Sequence, residues 1–136
     1  FKITVIYTGY HIYVFPYIDM KLDHDIFFKM LADSTRMRAL MLMQRDGELC
    51  VCELTHALSL SQPKISRHLA HLRESGIVRA RRQGLWMYYQ INPSLPKWAL
   101  NVLQQTLDGL STYSNFKQDH KRLRSMAGRS GSACCA

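Results

Sequence analysis

No stretch of this sequence is apolar for long enough to span a bilayer. Its most apolar segment, residues 1–19, is interrupted by Thr8, Gly9, Tyr10 and His11 and broken by Pro16. That segment also lacks a basic head and a small-residue cleavage site, so it does not read as a secretory signal. No Gly-rich anion loop accompanies the cysteines, which argues against a thiol-dependent reductase or transferase, because such an enzyme needs an oxyanion or phosphate cradle beside its nucleophile. Acidic residues are outnumbered, ten Asp and Glu against eighteen Lys and Arg, for a formal charge of +8. That excess suits a polyanionic partner. Cysteine is sparse, with four residues in two close pairs, Cys50/Cys52 and Cys134/Cys135. The expectation is a cytoplasmic chain with reduced thiols and no membrane association. There, close cysteines signal metal or redox chemistry more than a structural disulfide.

What is present suffices for one folded domain: 136 residues, 47% hydrophobic and 21% charged. The positive charge falls in two blocks. Residues 1–60 net −1, and residues 61–90 net +5 through Lys64, Arg67, Arg73, Arg79, Arg81 and Arg82 against Glu74. Residues 91–116 net zero, and residues 117–136 net +4. A charge run is commonly a solvated face, so the first block needs a structural reason to count as a binding site.

The chain begins at Phe1, and Met20 opens an ordinary helical pattern. Residues 1–19 read either as a translated upstream stretch or appended arm, or as a strand-like arm packed on the domain. Apolar spacing predicts a helix over 22–32 through Ile26, Phe27, Met30 and Leu31. A second helix is expected with Ser34 as N-cap, ending near Asp46 at Gly47, with Met37, Leu40 and Met41 inward. A third runs from about Cys50 to Leu58. After the turn Ser59-Leu60-Ser61, a helix over 61–75 is capped by Ser61. It tolerates Pro63 in its first turn, buries Ile65, Leu69 and Leu72, and ends at Gly76. Two helices joined by so short a turn form a helix-turn-helix. The period then changes to two over 77–91, with Gln83-Gly84-Leu85 between strands, as a two-stranded wing would require. A last helix, opened by Pro93 and Pro96, carries Ala99, Val102, Leu103, Leu107 and Leu110, an apolar stripe that suits burial against a twofold copy.

The fold expected is mainly α with a small β-hairpin: a winged helix-turn-helix of about five helices and a two-stranded wing, dimeric through its terminal helices. The division expected is an arm at 1–19, a DNA-binding domain at 20–112, and a basic flexible tail at 113–136.

A helix in the major groove meets base edges with its N-terminal residues. Gln62, Ser66 and Arg67 are the expected base readers. Lys64 and His71 flank that face, Lys64 and Arg73 suit phosphates, and Arg79, Arg81 and Arg82 of the wing suit the backbone or minor groove. His68 lies beside the apolar stripe and reads as a packed histidine. The alternative is a solvated helix beside a charged hairpin; the ordered occurrence of helix, turn, helix and basic wing argues against it.

Cys50 and Cys52 stand at i and i+2, which face different sides of a regular helix. One ion can bind both sulfurs only if the helix start is non-helical or unwinds. A helix N-terminus favours thiolate, and thiolates select soft ions. The alternative is that these are small buried hydrophobes.

The segment 48–54, the run Ser61-Gln62-Pro63-Lys64-Ile65-Ser66-Arg67-His68-Leu69, then Leu72-Arg73-Glu74-Ser75-Gly76 and Trp86-Met87-Tyr88-Tyr89 together resemble the ArsR/SmtB family of metal-responsive repressors, its arsenic-responsive branch in particular. The resemblance spans about 22–110. It implies a homodimeric repressor on double-stranded operator DNA of a resistance operon, released when As(III) or Sb(III) binds cysteine thiolates, with no organic cofactor. Cys50 and Cys52 match two cysteines of that branch. Thr55 stands where a third would, and the tail pair Cys134 and Cys135 is the candidate replacement, against an exposed end without function. The last helix holds Asp108 but not the Asp/His-rich pattern of zinc-sensing members, and residues 1–49 lack the N-terminal cysteines of cadmium and lead sensors. A thiol redox or persulfide switch on the same scaffold is the second reading. A thiol-dependent enzyme, with His56 four residues after Cys52, is the third.

Overall fold

The computed structural model describes residues 22–126 in full and the backbone of residues 3–8 and 11–16. Strands β1 (Ile3–Thr8) and β2 (His11–Pro16) pair antiparallel, Ile3 opposite Pro16 and Thr8 opposite His11. The tail cysteines Cys134 and Cys135 lie outside the described residues.

Helix α1 (His24–Leu31) starts where the Asp23 carboxylate accepts the N–H groups of Asp25 and Ile26. Helix α2 (Ser34–Asp46) is capped by Asp33, which accepts the Arg36 N–H at 2.9 Å, and not by Ser34. A carboxylate at this position satisfies an orphan donor and faces the positive end of the helix dipole. Helix α2 ends at Gly47, whose φ of 81° is in the region that glycine adopts freely. It buries Ala39, Leu40, Met41, Leu42 and Met43, more than one stripe. The reason is its central place: α1, α3 (Val51–Leu58), α4 (Gln62–Glu74), α5 (Lys97–Leu110) and α6 (Ser114–Ser125) all pack on it.

Ile65, Leu69 and Leu72 of α4 are buried as expected from their spacing. Ser61 occupies the cap position of α4 but makes no side-chain cap bond. The left-handed residue between α3 and α4 is Ser59, at φ 55°.

The wing is larger than a hairpin. Strands β4 (Val78–Gln83) and β5 (Trp86–Ile91) pair antiparallel, and the short β3 (Leu49–Cys50) adds to the other edge of β5, giving the order β3-β5-β4. The loop between β4 and β5 is Gly84-Leu85, with positive φ at Gly84 alone, the pattern of a type II′ turn.

The chain after 113 differs from the flexible tail expected. Residues 114–125 form α6, which buries Leu123 and Asp119 against the domain. Asp119 accepts from Arg38 Nε at 2.7 Å, Arg38 Nη2 at 2.6 Å and Arg122 Nη2 at 2.7 Å. Both arginines also reach the end of α3: Arg38 Nη2 donates to the Leu58 carbonyl and Arg122 Nε to that of Ala57. The segment is polar in composition, and one buried ionic cluster holds it down. Six helices therefore stand among the described residues, where about five were expected.

Phe27 of α1 is fully buried, its ring edge-on to Trp98 of α5 at 5.2 Å. Phe28 stacks on the same indole at 6.2 Å. Ile26, Phe28 and Trp98 nonetheless remain exposed, at 44%, 51% and 41%.

Candidate DNA interface and cysteine site

The exposed face of α4 carries Gln62, Lys64, Arg67, His71 and Arg73, while Ser66 is half-buried. The buried stripe fixes the rotation of the helix, so these residues point outward because Ile65, Leu69 and Leu72 point inward. His68 is packed, as its place beside the stripe suggested: its side chain is 12% exposed, with Arg36 Nη1 at 3.5 Å and Asp33 Oδ1 at 3.8 Å. Burial, aided by Arg36, Arg67 and Lys64, holds its pKa below the usual histidine value despite Asp33.

The three wing arginines do not stand alike. Arg82 is exposed, and its Nε donates to the Gly84 carbonyl at 3.1 Å. Arg79 is half-buried, and the Gln90 side-chain oxygen, oriented toward it, accepts from its Nε and Nη2 at 3.0 Å. Arg81 forms a forked ion pair with Glu48: Nε donates to Oε2 at 2.9 Å and Nη2 to Oε1. Its guanidinium also lies 4.7 Å from the centre of the Tyr88 ring. Composition alone made the three equivalent. Glu48 lies 33 residues from Arg81, and no local pattern joins them.

The cysteine pair meets the geometric condition read from its spacing. Cys50 is extended (φ −84°, ψ 162°) and belongs to β3, while Cys52 lies in the first turn of α3. The break between strand and helix brings the sulfurs within 2.8 Å. Cys50 and Glu53 form a reciprocal capping box, in which the Cys50 N–H donates to Glu53 Oε1 at 3.1 Å. Cys50 is a buried thiol; Cys52 stands in disulfide form, so chemistry at both sulfurs requires its reduction.

The expectation that the helix N-terminus would favour thiolate fails at Cys50. Burial, reinforced by the neighbouring Glu53 carboxylate, pushes its thiol up to about 11, against the opposing pull of the Glu53 N–H. Thr55 supplies no third sulfur, and its hydroxyl donates to the Val51 carbonyl at 2.8 Å on its own helix. Among the described residues no three His, Cys, Asp or Glu side chains gather as a metal site. Among the described residues the donor set is two sulfurs, which suits a soft thiophilic ion and not an oxygen-seeking cation.

Residues 33–80 match the model of the family described as "Bacterial regulatory protein, arsR family". The arsenic resistance transcriptional regulator ArsR1 of Pseudomonas putida is 53% identical over 104 residues, covering 76% of this chain and 80% of that protein. The crystal structure of the AntR antimony-specific transcriptional repressor superposes with a TM-score of 0.55 at 32% identity, over 64% of this chain and 76% of that one. The homodimeric winged helix-turn-helix DNA-binding domain Mb0332 of Mycobacterium bovis does so at 0.54 and 26% identity, over 63% and 78%. With its winged helix-turn-helix fold and these relatives in agreement, the chain belongs to the ArsR family of bacterial regulatory proteins.

Proposed function

We propose that this protein is a transcriptional repressor of a resistance operon, released from its operator when trivalent arsenic or antimony binds the reduced thiols of Cys50 and Cys52. The observation that carries this reading is the convergence of two sulfurs at the junction where the wing sheet runs into the helix-turn-helix. Helix α4 enters the major groove, with Gln62, Ser66 and Arg67 toward the bases and Lys64, His71 and Arg73 toward phosphates. Arg82 at the wing tip meets the backbone, with Arg79 and Arg81 behind it. The exposed aromatic face of α1 and α5 joins two copies about a twofold axis, so that two recognition helices address one duplex. The relatives named as arsenic- and antimony-responsive regulators support the inducer class.

An arsenite titration of the operator complex tests this reading. Wild-type protein should leave the DNA, and protein carrying Cys50→Ser and Cys52→Ser should stay. Unchanged release from the double variant refutes the sensor assignment. A second reading, a thiol redox or persulfide switch, is favoured by the short sulfur–sulfur approach and by the disulfide form of Cys52. It expects release by oxidant with little response to arsenite, and mass spectrometry showing neither cysteine modified on release removes it. In either reading the role is regulatory, and the thiols are not catalytic nucleophiles.

A further inference from the structure

Cys50, Tyr88 and Arg81 form one row across the three strands of the wing sheet: Cys50 is the register partner of Tyr88, and Tyr88 is that of Arg81. Directly opposed residues share a face of a sheet. Glu48, two residues before Cys50, therefore emerges on the same face, and that is how its carboxylate reaches the Arg81 guanidinium. The pair is partly shielded, with side-chain exposures of 30% for Arg81 and 25% for Glu48. It is forked, which fixes the orientation of the arginine as well as its position. The result is a closed mechanical loop. The backbone at Cys50 is tied to β5 by strand pairing, and the side chain of Glu48 on that same short segment is tied to β4.

From this geometry we infer that Glu48 and Arg81 are positioning residues that transmit the state of the cysteine site to the DNA-binding wing. The inference rests on the sensor reading above. Holding a soft ion between the reduced Cys50 and Cys52 sulfurs would shift these two residues and with them the β3 backbone. The Glu48 fork converts that movement into a displacement of β4 and of the wing tip, which carries Arg82. The other route, from α3 through the Ser59 turn into α4, needs no part of this bridge.

The test uses the full-length dimer, sodium arsenite, and a fluorescent duplex selected by the wild-type protein from a random pool. The readout is the ratio of DNA dissociation constants with and without arsenite, which is independent of any change in basal affinity. A typical coupling makes this ratio about 5 to 150 for the wild type. Glu48→Gln keeps the shape of the side chain and removes its charge. It should bring the ratio to within about threefold of one while arsenite binding itself, followed by calorimetry, persists. Glu48→Asp keeps the charge and should restore part of the ratio, which a merely structural effect on folding would not do. A Glu48→Gln ratio equal to that of the wild type overturns the inference and assigns the coupling to the α3–α4 route. If the wild type itself shows no ratio, the sensor reading fails. The bridge is then judged on hydrogen exchange in metalloid-free protein: faster exchange in β4 and β5 of Glu48→Gln supports it, and unchanged exchange overturns it.

Discussion

Replacing Asp119 by asparagine tests whether α6 is an integral part of the domain. The carboxylate is 1% exposed and answers three donor atoms on two arginines. Asparagine fills the same volume but carries no charge, and one of its two terminal atoms is a donor facing donors. Arg38, whose side chain is 17% exposed, is then left with a charge that water barely reaches. Breaking a buried pair from one side costs about 3–5 kcal/mol. Arg122 is 35% exposed and can turn toward solvent, so the lower end, about 3 kcal/mol, is the expected value. With a urea dependence of about 2 kcal/mol per molar, the unfolding midpoint should fall by about 1.5 M. The assay is circular dichroism at 222 nm, at matched protein concentrations because a dimer's midpoint depends on them. A midpoint shift below about 0.3 M would refute the reasoning, because it would mean that the cluster adds almost nothing to α6 docking.

Cys50 in fully reduced protein should be alkylated by iodoacetamide about 100-fold more slowly at pH 8 than an ordinary thiol, since its pKa stands near 11 instead of 9.0. Because that pKa is raised on folding, the associated stability is whole below the ordinary value and is lost as pH rises toward about 11; peptide mass spectrometry showing Cys50 labelled as fast as in urea contradicts this. Arg67→Ala should cost about 1–3 kcal/mol of operator binding and relax base preference, whereas Lys64→Ala should weaken all sequences alike and lower the salt slope by about one; fluorescence anisotropy across salt and sequence separates the two. Phe28→Glu places a charge on the exposed aromatic face of α1 and α5, and should abolish the proposed dimer in sedimentation velocity while leaving the helical spectrum intact.

Local signals carried most of the scaffold. The 3.6-residue stripe of Ile65, Leu69 and Leu72 set both the existence of α4 and the direction its polar face looks. Gly47, Gly76 and Gly84 punctuated the chain where positive φ is needed. The i, i+2 spacing of Cys50 and Cys52 stated its own condition, a break in the helix, and the strand-to-helix junction at Cys50 meets it. One miss is local. Asp33 displaced Ser34 as a cap by one position, because either residue type fits and only the backbone geometry chooses.

What the sequence by itself determined is the order of helices, the exposed face of α4, the hairpin and the placing of two thiols at a helix start, because each depends on residues within a few positions of one another. Only the tertiary structure decided that β3 joins the wing, that Arg81 belongs to Glu48 and not to open solvent, that burial pushes the Cys50 thiol up, and that Asp119 turns a basic tail into a docked helix. Those contacts join residues 33 to 81 positions apart, or depend on what surrounds a thiol on every side. Periodicity cannot register a partner that the chain brings near only by folding.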